Sequence, residues 1–192
     1  ENKPIGLYVV IEDVTEYYAS VDLMRTIHEI IHKRGRRIDP ASIDELLKFG
    51  VEYLDVDIGT ASSIIDGVYT IEWIQTAKLE FDAGTQLPLD TTYCSVVLKE
   101  NELVHTNEAG KDARFKDHKS FLTYGLQSYI GTPLVINDVV WGVLGFARKT
   151  ARREAFSELE IEMVRMMGTA VETVIAEQAV RHDLIRQRDD MA

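Results

Sequence analysis

Two dipeptides, Asp66-Gly67 and Asn137-Asp138, constrain the fold of this chain more than any other feature. A two-residue hairpin loop needs positive φ at its central positions, and Gly, Asn and Asp are the residues that tolerate it. Each dipeptide divides two β-forming runs: residues 59–65 and 68–77 around the first, 128–136 and 139–147 around the second. The chain must therefore build two antiparallel hairpins. In the 68–77 run, alternation places Tyr69, Ile71, Trp73 and Gln75 on one face and Thr70, Glu72 and Ile74 on the other. Residues 103–106 read as a further short strand. Residues 5–14, with Ile5, Leu7, Tyr8, Val9, Val10 and Ile11, read as another.

Helical patterns bracket these strands. After Glu12-Asp13 the apolar positions Val14, Tyr17, Val21, Met24, His28 and Ile31 recur at alternating three- and four-residue spacing, a heptad seam that stops at Gly35. A second helix is predicted from Asp39-Pro40, with Ile43, Leu46, Leu47, Val51 and Leu54 as its apolar face. Residues 82–88 read as loop. Asp90-Thr91-Thr92 can cap a short helix through Leu98, and 107–116 reads as a polar loop. A short helix over 118–124 is closed by Gly125. From Ser157 the pattern Ser-Glu-Leu-Glu is a capping box. A helix over 157–191 would be on the order of 50 Å long. A domain of this size has a radius of gyration of only about 14 Å, so such a helix must project from the body. Helices around an antiparallel sheet make an α+β architecture.

Composition narrows the function. Net charge is −11, from 32 acidic and 21 basic residues, a field that repels nucleic acid and anionic lipid. The basic clusters at 33–37 and 148–153 read as solvated turns. No apolar run approaches the roughly 20 residues of a membrane span, so no membrane insertion is expected, and no signal peptide opens the chain, whose first residues read as an excised fragment. The single cysteine, Cys94, cannot form an intrachain disulfide and fits a reducing cytoplasm. No phosphate loop, dinucleotide-binding glycine run or nucleophile elbow is present.

Five segments appear in a particular order: residues 47–54, Thr92-Tyr93-Cys94-Ser95, residues 113–118, residues 124–134, and Trp141-Gly142-Val143-Leu144-Gly145-Phe146. In that order and spacing they resemble a GAF domain, the sensing module of bacterial signalling proteins, notably of cyanobacterial-type sensor histidine kinases and diguanylate cyclases. Residues 6–16 resemble the final strand and exit of a PAS domain. The resemblance implies this division: 1–15 the end of a PAS domain, 16–37 a linker helix, 38–178 a GAF domain, 179–192 a coiled-coil linker. The output domain would lie elsewhere in the parent chain. It further implies a six-stranded antiparallel sheet with helices on both faces, regulation rather than catalysis, and a small-molecule pocket between the sheet and the short helices. Carried onto that topology, the candidate pocket residues are Trp73, Tyr93, Cys94, His105, His118, Phe121, Tyr124, Thr132 and Phe146. Trp73, Tyr93, Phe121, Tyr124, Tyr129 and Phe146 could equally be a filled core. Then the domain is a ligand-free dimerisation spacer.

Two motifs carry other chemistry. His28-Glu29-Ile30-Ile31-His32 matches H-E-x-x-H, whose two histidines share a helix face and can bind zinc, with Glu29 as base. The extended motif's third ligand position holds Ile38, and Lys33, Arg34, Arg36 and Arg37 crowd the site, so a zinc hydrolase is only the remote alternative and no metal is expected. Bilin-binding relatives usually attach the chromophore through a cysteine before a histidine; the corresponding Lys116-Asp117-His118 has none. No bilin-attachment site of the usual kind is therefore expected, and no haem or metal is required. Cys94 reads as a small buried hydrophobe, or as a thiol activated by a helix start at 90–92. The expected partner is a second copy of the chain, paired through Tyr17, Val21, Met24, His28 and Ile31 and through Val171, Val174, Gln178, Arg181 and Ile185.

Overall fold

The computed structural model describes residues 5–32, 41–76 and 78–189, and the side chains of 18–32, 41–76 and 78–181. In chain order the elements are α1 (Ile5–His32), α2 (Ala41–Tyr53), β1 (Ile58–Ile65), β2 (Val68–Thr76), β3 (Gln86–Pro88), a 3-10 turn (Leu89–Thr91), α3 (Cys94–Glu100), β4 (Val104–Thr106), a second 3-10 turn (Ala109–Lys111), α4 (Lys119–Tyr124), β5 (Ser128–Ile136), β6 (Val139–Arg148) and α5 (Glu158–Asp189). The strands form one six-stranded sheet in the order β3-β2-β1-β6-β5-β4. Every neighbouring pair is antiparallel.

The two turn dipeptides behave as their chemistry requires. Asp66 and Gly67 have φ of 50° and 77°, Asn137 and Asp138 of 52° and 62°. That is the turn whose twist matches the flanking strands. Gly125 closes α4 at φ 68°. At the start of α5 the Ser157 hydroxyl accepts from the Glu160 amide at 3.2 Å, and the Glu160 carboxylate accepts from the Ser157 amide at 2.8 Å. Both bonds of the capping box are made.

The sheet separates two cores. On one face, α2 and α5 lay Ile43, Leu46, Leu47, Met163, Met167 and Val171 against Ile130, Leu134, Leu144 and Phe146 of the sheet. On the other, Tyr93 and Val97 of the α3 region and Phe115 lie against Tyr69, Ile71, Tyr129 and Val143. Alternation along β5 and β6 sends neighbouring residues to opposite cores.

Several expectations are corrected. Residues 5–14 are the first turns of α1, not a strand. Strand propensity is realised only where a sheet accepts the segment, and the six positions of this sheet are taken by other segments. Residues 86–88, expected as loop, form the edge strand β3, whose terminal Pro88 a sheet tolerates only at an edge. The short helix expected after Asp90-Thr91-Thr92 forms as α3, running two residues past Leu98, and Thr92 before it is extended at φ −117°, ψ 148°.

The helix seam also differs. Among the described side chains of α1, Leu23 and Ile27 are buried, and the helix packs against α5 in the same chain. Met24 and His28 are exposed, Val21 and Ile31 half-buried. Val171 and Val174 of α5 are fully buried in the chain's own core, so neither lies on a free face. Gln178 is half-buried and Arg181 exposed. Tyr17 and Ile185 lie outside the residues whose side chains are described. Apolar spacing marks a buried stripe but does not say whether its partner is another element of the same chain or a second copy.

Candidate functional site

Between the sheet and the layer formed by the first 3-10 turn, α3 and α4 lies a cavity of about 80 Å³. Its floor is built by alternation: Thr60 of β1, Tyr69 and Ile71 of β2, Tyr129 of β5 and Ala147 of β6. Its roof is Thr91, Thr92, Tyr93, Cys94, Ser120 and Tyr124, and Phe81, Leu87 and Leu126 complete the rim. None of the lining side chains is Asp, Glu, Lys, Arg or His.

Tyr129 has its place because two glycines leave room for it. A Cβ at Gly131, two residues on in the same strand, would overlap its hydroxyl, and one at Gly145 of β6 would come within 3.1 Å of it. The ring thus lies along the sheet, with its hydroxyl 3.8 Å from the Cys94 thiol. Tyr69 donates to the Thr60 hydroxyl at 3.2 Å, and Tyr93 donates to the Leu126 carbonyl at 2.7 Å. Burial pushes all three phenols above their ordinary range. The same cause pushes the Cys94 thiol up to about 11. Cys94 begins α3, but the desolvation of a buried thiolate outweighs what a helix start can offer, so the activated-thiol reading does not hold.

A second set of bonds ties the roof together. The Nδ1 of His118 accepts from the Ser120 amide at 3.1 Å, which caps α4. Its proton is therefore on Nε2, facing the Ser95 hydroxyl at 3.0 Å, and Ser95 donates onward to the Thr92 carbonyl at 2.8 Å. Ser120 donates to the Thr91 carbonyl at 2.8 Å, and Lys119 pairs with Asp90. Burial lowers the pKa of His118, which favours the neutral ring these contacts require.

The candidate residues thus separate. Tyr93, Cys94 and Tyr124 line the cavity. His118 and Phe121 belong to the roof layer but do not line it: His118 packs its ring 5.0 Å from Tyr93, and Phe121 packs at the edge of the core beneath the roof. Trp73, His105, Thr132 and Phe146 lie on the opposite face. Phe146 is fully buried there, beneath α2. Thr132 abuts Gly168 of α5. His105 faces Phe156 at 5.8 Å, its pKa lowered by burial.

Trp73 is displaced by a β-bulge: Ala61 pairs with Trp73 while Ser62 pairs with Ile71, leaving Glu72 extra. One extra residue inverts the alternation, so Trp73 turns away from Tyr69 and Ile71 and meets Trp141 at 6.5 Å. The sequence reading did not single out Thr60 and Tyr69. The usable signal for the floor was an aromatic with glycine two residues on, Tyr129 and Gly131.

His28 and His32 share one face of α1, their rings 4.2 Å apart. Among the described residues no group of three or more His, Cys, Asp or Glu converges as a metal site would require.

A six-stranded antiparallel sheet carrying helices on one face and a small, partly open cavity on the other defines the class of α+β module to which the chain belongs. The GAF domain profile matches residues 41–175, and the chain belongs to the GAF family. Such domains are typically sensory or regulatory and generally non-catalytic. The fold is shared with the GAF domain of a phosphoenolpyruvate-protein phosphotransferase from Acinetobacter, at a TM-score of 0.66 and 21% identity over 85% of this chain and 97% of that one. The phycocyanobilin-bound GAF domain of a cyanobacterial phytochrome gives 0.62 and 18% over 85% and 97%. The GAF domain of A. Aeolicus nlh2 in an inactive state gives 0.60 and 16% over 84% and 98%. Among curated proteins, none matches the sequence.

Proposed function

We propose that this GAF domain is a regulatory sensor within a multidomain signalling protein. It takes a small molecule in the cavity above Tyr69 and Tyr129 and relays occupancy through α1 and α5. The observation that carries the reading is the arrangement of the sheet. Tyr129, Gly145 and Ala147 face the cavity, while their neighbours Ile130, Leu144 and Phe146 face α2 and α5. A shift of β5 or β6 on one face must be accommodated by the helices on the other, because packed interiors do not compress. The last fully buried residue of α5 among those described is Val174, yet the helix runs on to Asp189, about 22 Å further.

The parent is a histidine kinase or diguanylate cyclase, and the domain works as a parallel homodimer. The exposed Met24 and His28, with Met166 and Thr169, flank a groove between α1 and α5 that a second copy would fill. Cytoplasmic placement is supported by the single buried, unpaired cysteine. Among the described residues no helix is long and apolar enough to cross a membrane.

A second reading, a ligand-free dimerisation spacer, is favoured by the cavity's modest volume, since Tyr93, Phe115 and Tyr129 fill most of that face. Native mass spectrometry with an absorption spectrum on the same sample separates the two. Retained extra mass on a dimer supports the sensor. A bare dimer that no small molecule stabilises supports the spacer, and a monomer refutes both.

A further inference from the structure

From the lining of the cavity we infer the chemical class of its ligand: a small, neutral, largely apolar molecule carrying one hydrogen-bond acceptor, read by the Tyr129 hydroxyl. This inference rests on the sensor reading and narrows it.

Charge decides first. The lining offers aliphatic, aromatic, hydroxyl and thiol groups and no ionisable cation or anion. A carboxylate or phosphate placed there would lose its hydration with no counter-charge, at a cost of several kcal/mol. The lining offers cyclic nucleotides and propionate-bearing tetrapyrroles no counter-charge. Size agrees. Ligand pockets for drug-sized molecules run from about 300 Å³ upward, whereas an apolar cavity of about 150 Å³ already admits benzene. A cavity of about 80 Å³ suits a single small ring once its partly exposed rim side chains, such as Phe81, Leu87 and Leu126, give way slightly.

The acceptor requirement comes from an imbalance among the buried hydroxyls. Tyr93 has a carbonyl at 2.7 Å, and Tyr69 has the Thr60 oxygen at 3.2 Å. Tyr129 has only the Cys94 sulfur, at 3.8 Å. A thiol is a weak acceptor. Tyr129 is 4% exposed, and its hydroxyl has only that weak partner. A buried donor in that state costs free energy until an acceptor arrives. A ligand with a ring nitrogen or a carbonyl supplies it.

The test uses two rings of equal size, pyridine and benzene, at pH 8 where pyridine is neutral, with benzoate and cyclic GMP as charged probes. Binding is followed by the NMR shifts of the Gly145 amide and the Ala147 methyl on the cavity floor. The wild-type protein is expected to bind pyridine roughly five- to tenfold tighter than benzene, the ratio that one added hydrogen bond gives. In Tyr129→Phe the ratio is expected to fall to about one. Cys94→Ala, which leaves the hydroxyl with no partner at all, is expected to raise the ratio and gives an independent reading should Tyr129→Phe fold poorly. Equal binding of the two rings by the wild type, or a ratio that neither variant moves, overturns the inference. Benzoate or cyclic GMP binding as tightly as pyridine overturns it while leaving the sensor standing. Silence from all four probes overturns both.

Discussion

Replacing Gly50 by Ala sets helix propensity against packing. Gly50 is interior to α2, where Ala is favoured over Gly by about 1 kcal/mol. By that criterion the substitution stabilises. The structure opposes it. The new Cβ would stand 2.5 Å from Cζ of Phe146 and 2.9 Å from Cε of Met167. Carbon atoms pack best at about 3.5–4.0 Å, so the ring must retreat by roughly 1 Å. The same edge of the ring also fills the space that Gly59 leaves open, where a Cβ would stand 2.7 Å from Cε1, so little room remains for it on the side of β1. Phe146 is fully buried and wedged between the two glycines where α2 crosses the sheet. Overpacking of this kind costs about 1–3 kcal/mol. Set against the propensity gain, Gly50→Ala is expected to destabilise the domain by about 1 kcal/mol, read as a lowered urea midpoint at unchanged slope. Pairing it with Phe146→Leu, which removes the outer ring atoms, should recover part of that loss, giving a coupling above about 0.5 kcal/mol in a double-mutant cycle. A stabilised Gly50→Ala, or strict additivity with Phe146→Leu, would refute the close approach of α2 to the sheet.

Three further outcomes are expected. With its thiol pushed up to about 11, Cys94 should react with iodoacetamide at neutral pH at least ~100-fold more slowly in the folded protein than in urea, where its pKa returns to the model-peptide range. Rapid labelling of the native protein would contradict its burial. The same shift makes stability fall as pH rises from about 9 toward 11, because the unfolded chain releases the proton first; Cys94→Ala should flatten that decline in pH-dependent urea titrations. His118 has its pKa lowered in the fold, so its contribution is whole above the ordinary histidine value and is lost as pH falls below it. The protection factors of the amides over 119–124 should therefore fall below about pH 6.5, and His118→Asn, which can cap without titrating, should abolish that fall. Ser157→Ala removes one half of the capping box and should cost about 1 kcal/mol, measured by thermal or urea unfolding, with no change in probe binding at the cavity.

The elements that local chemistry dictates were legible in the sequence. Asp66-Gly67 and Asn137-Asp138 demand positive φ, Gly125 ends α4, and Ser157 with Glu160 starts α5; each is a statement about a few adjacent residues. What escaped depends on distant partners. Residues 5–14 have strand-forming side chains, yet they continue α1 rather than pair with the sheet. The face of a strand is equally non-local. Phe146 and Ala147 alternate, but only the docked helices decide which of them meets a cavity. Trp73 failed for a sharper reason, since a single extra residue at Glu72 reverses the parity of everything before it. Tyr93, Cys94 and Tyr124, which family topology suggested, line the cavity, and its charge-free lining was visible only once the floor residues were assembled.

The division of the buried residues into two clusters on opposite faces has a consequence for how such a module can change. Among the described residues no buried hydrophobic side chain belongs to both. Substitutions at Thr60, Tyr69, Cys94 or Tyr129 can therefore rewrite what the chain recognises while Ile43, Leu46, Met163 and Met167 keep the helical side intact. The sheet acts as a partition between two vocabularies, one open to drift and one held constant. Exchanging only the cavity-facing positions between two such domains should transplant recognition without disturbing the helical side.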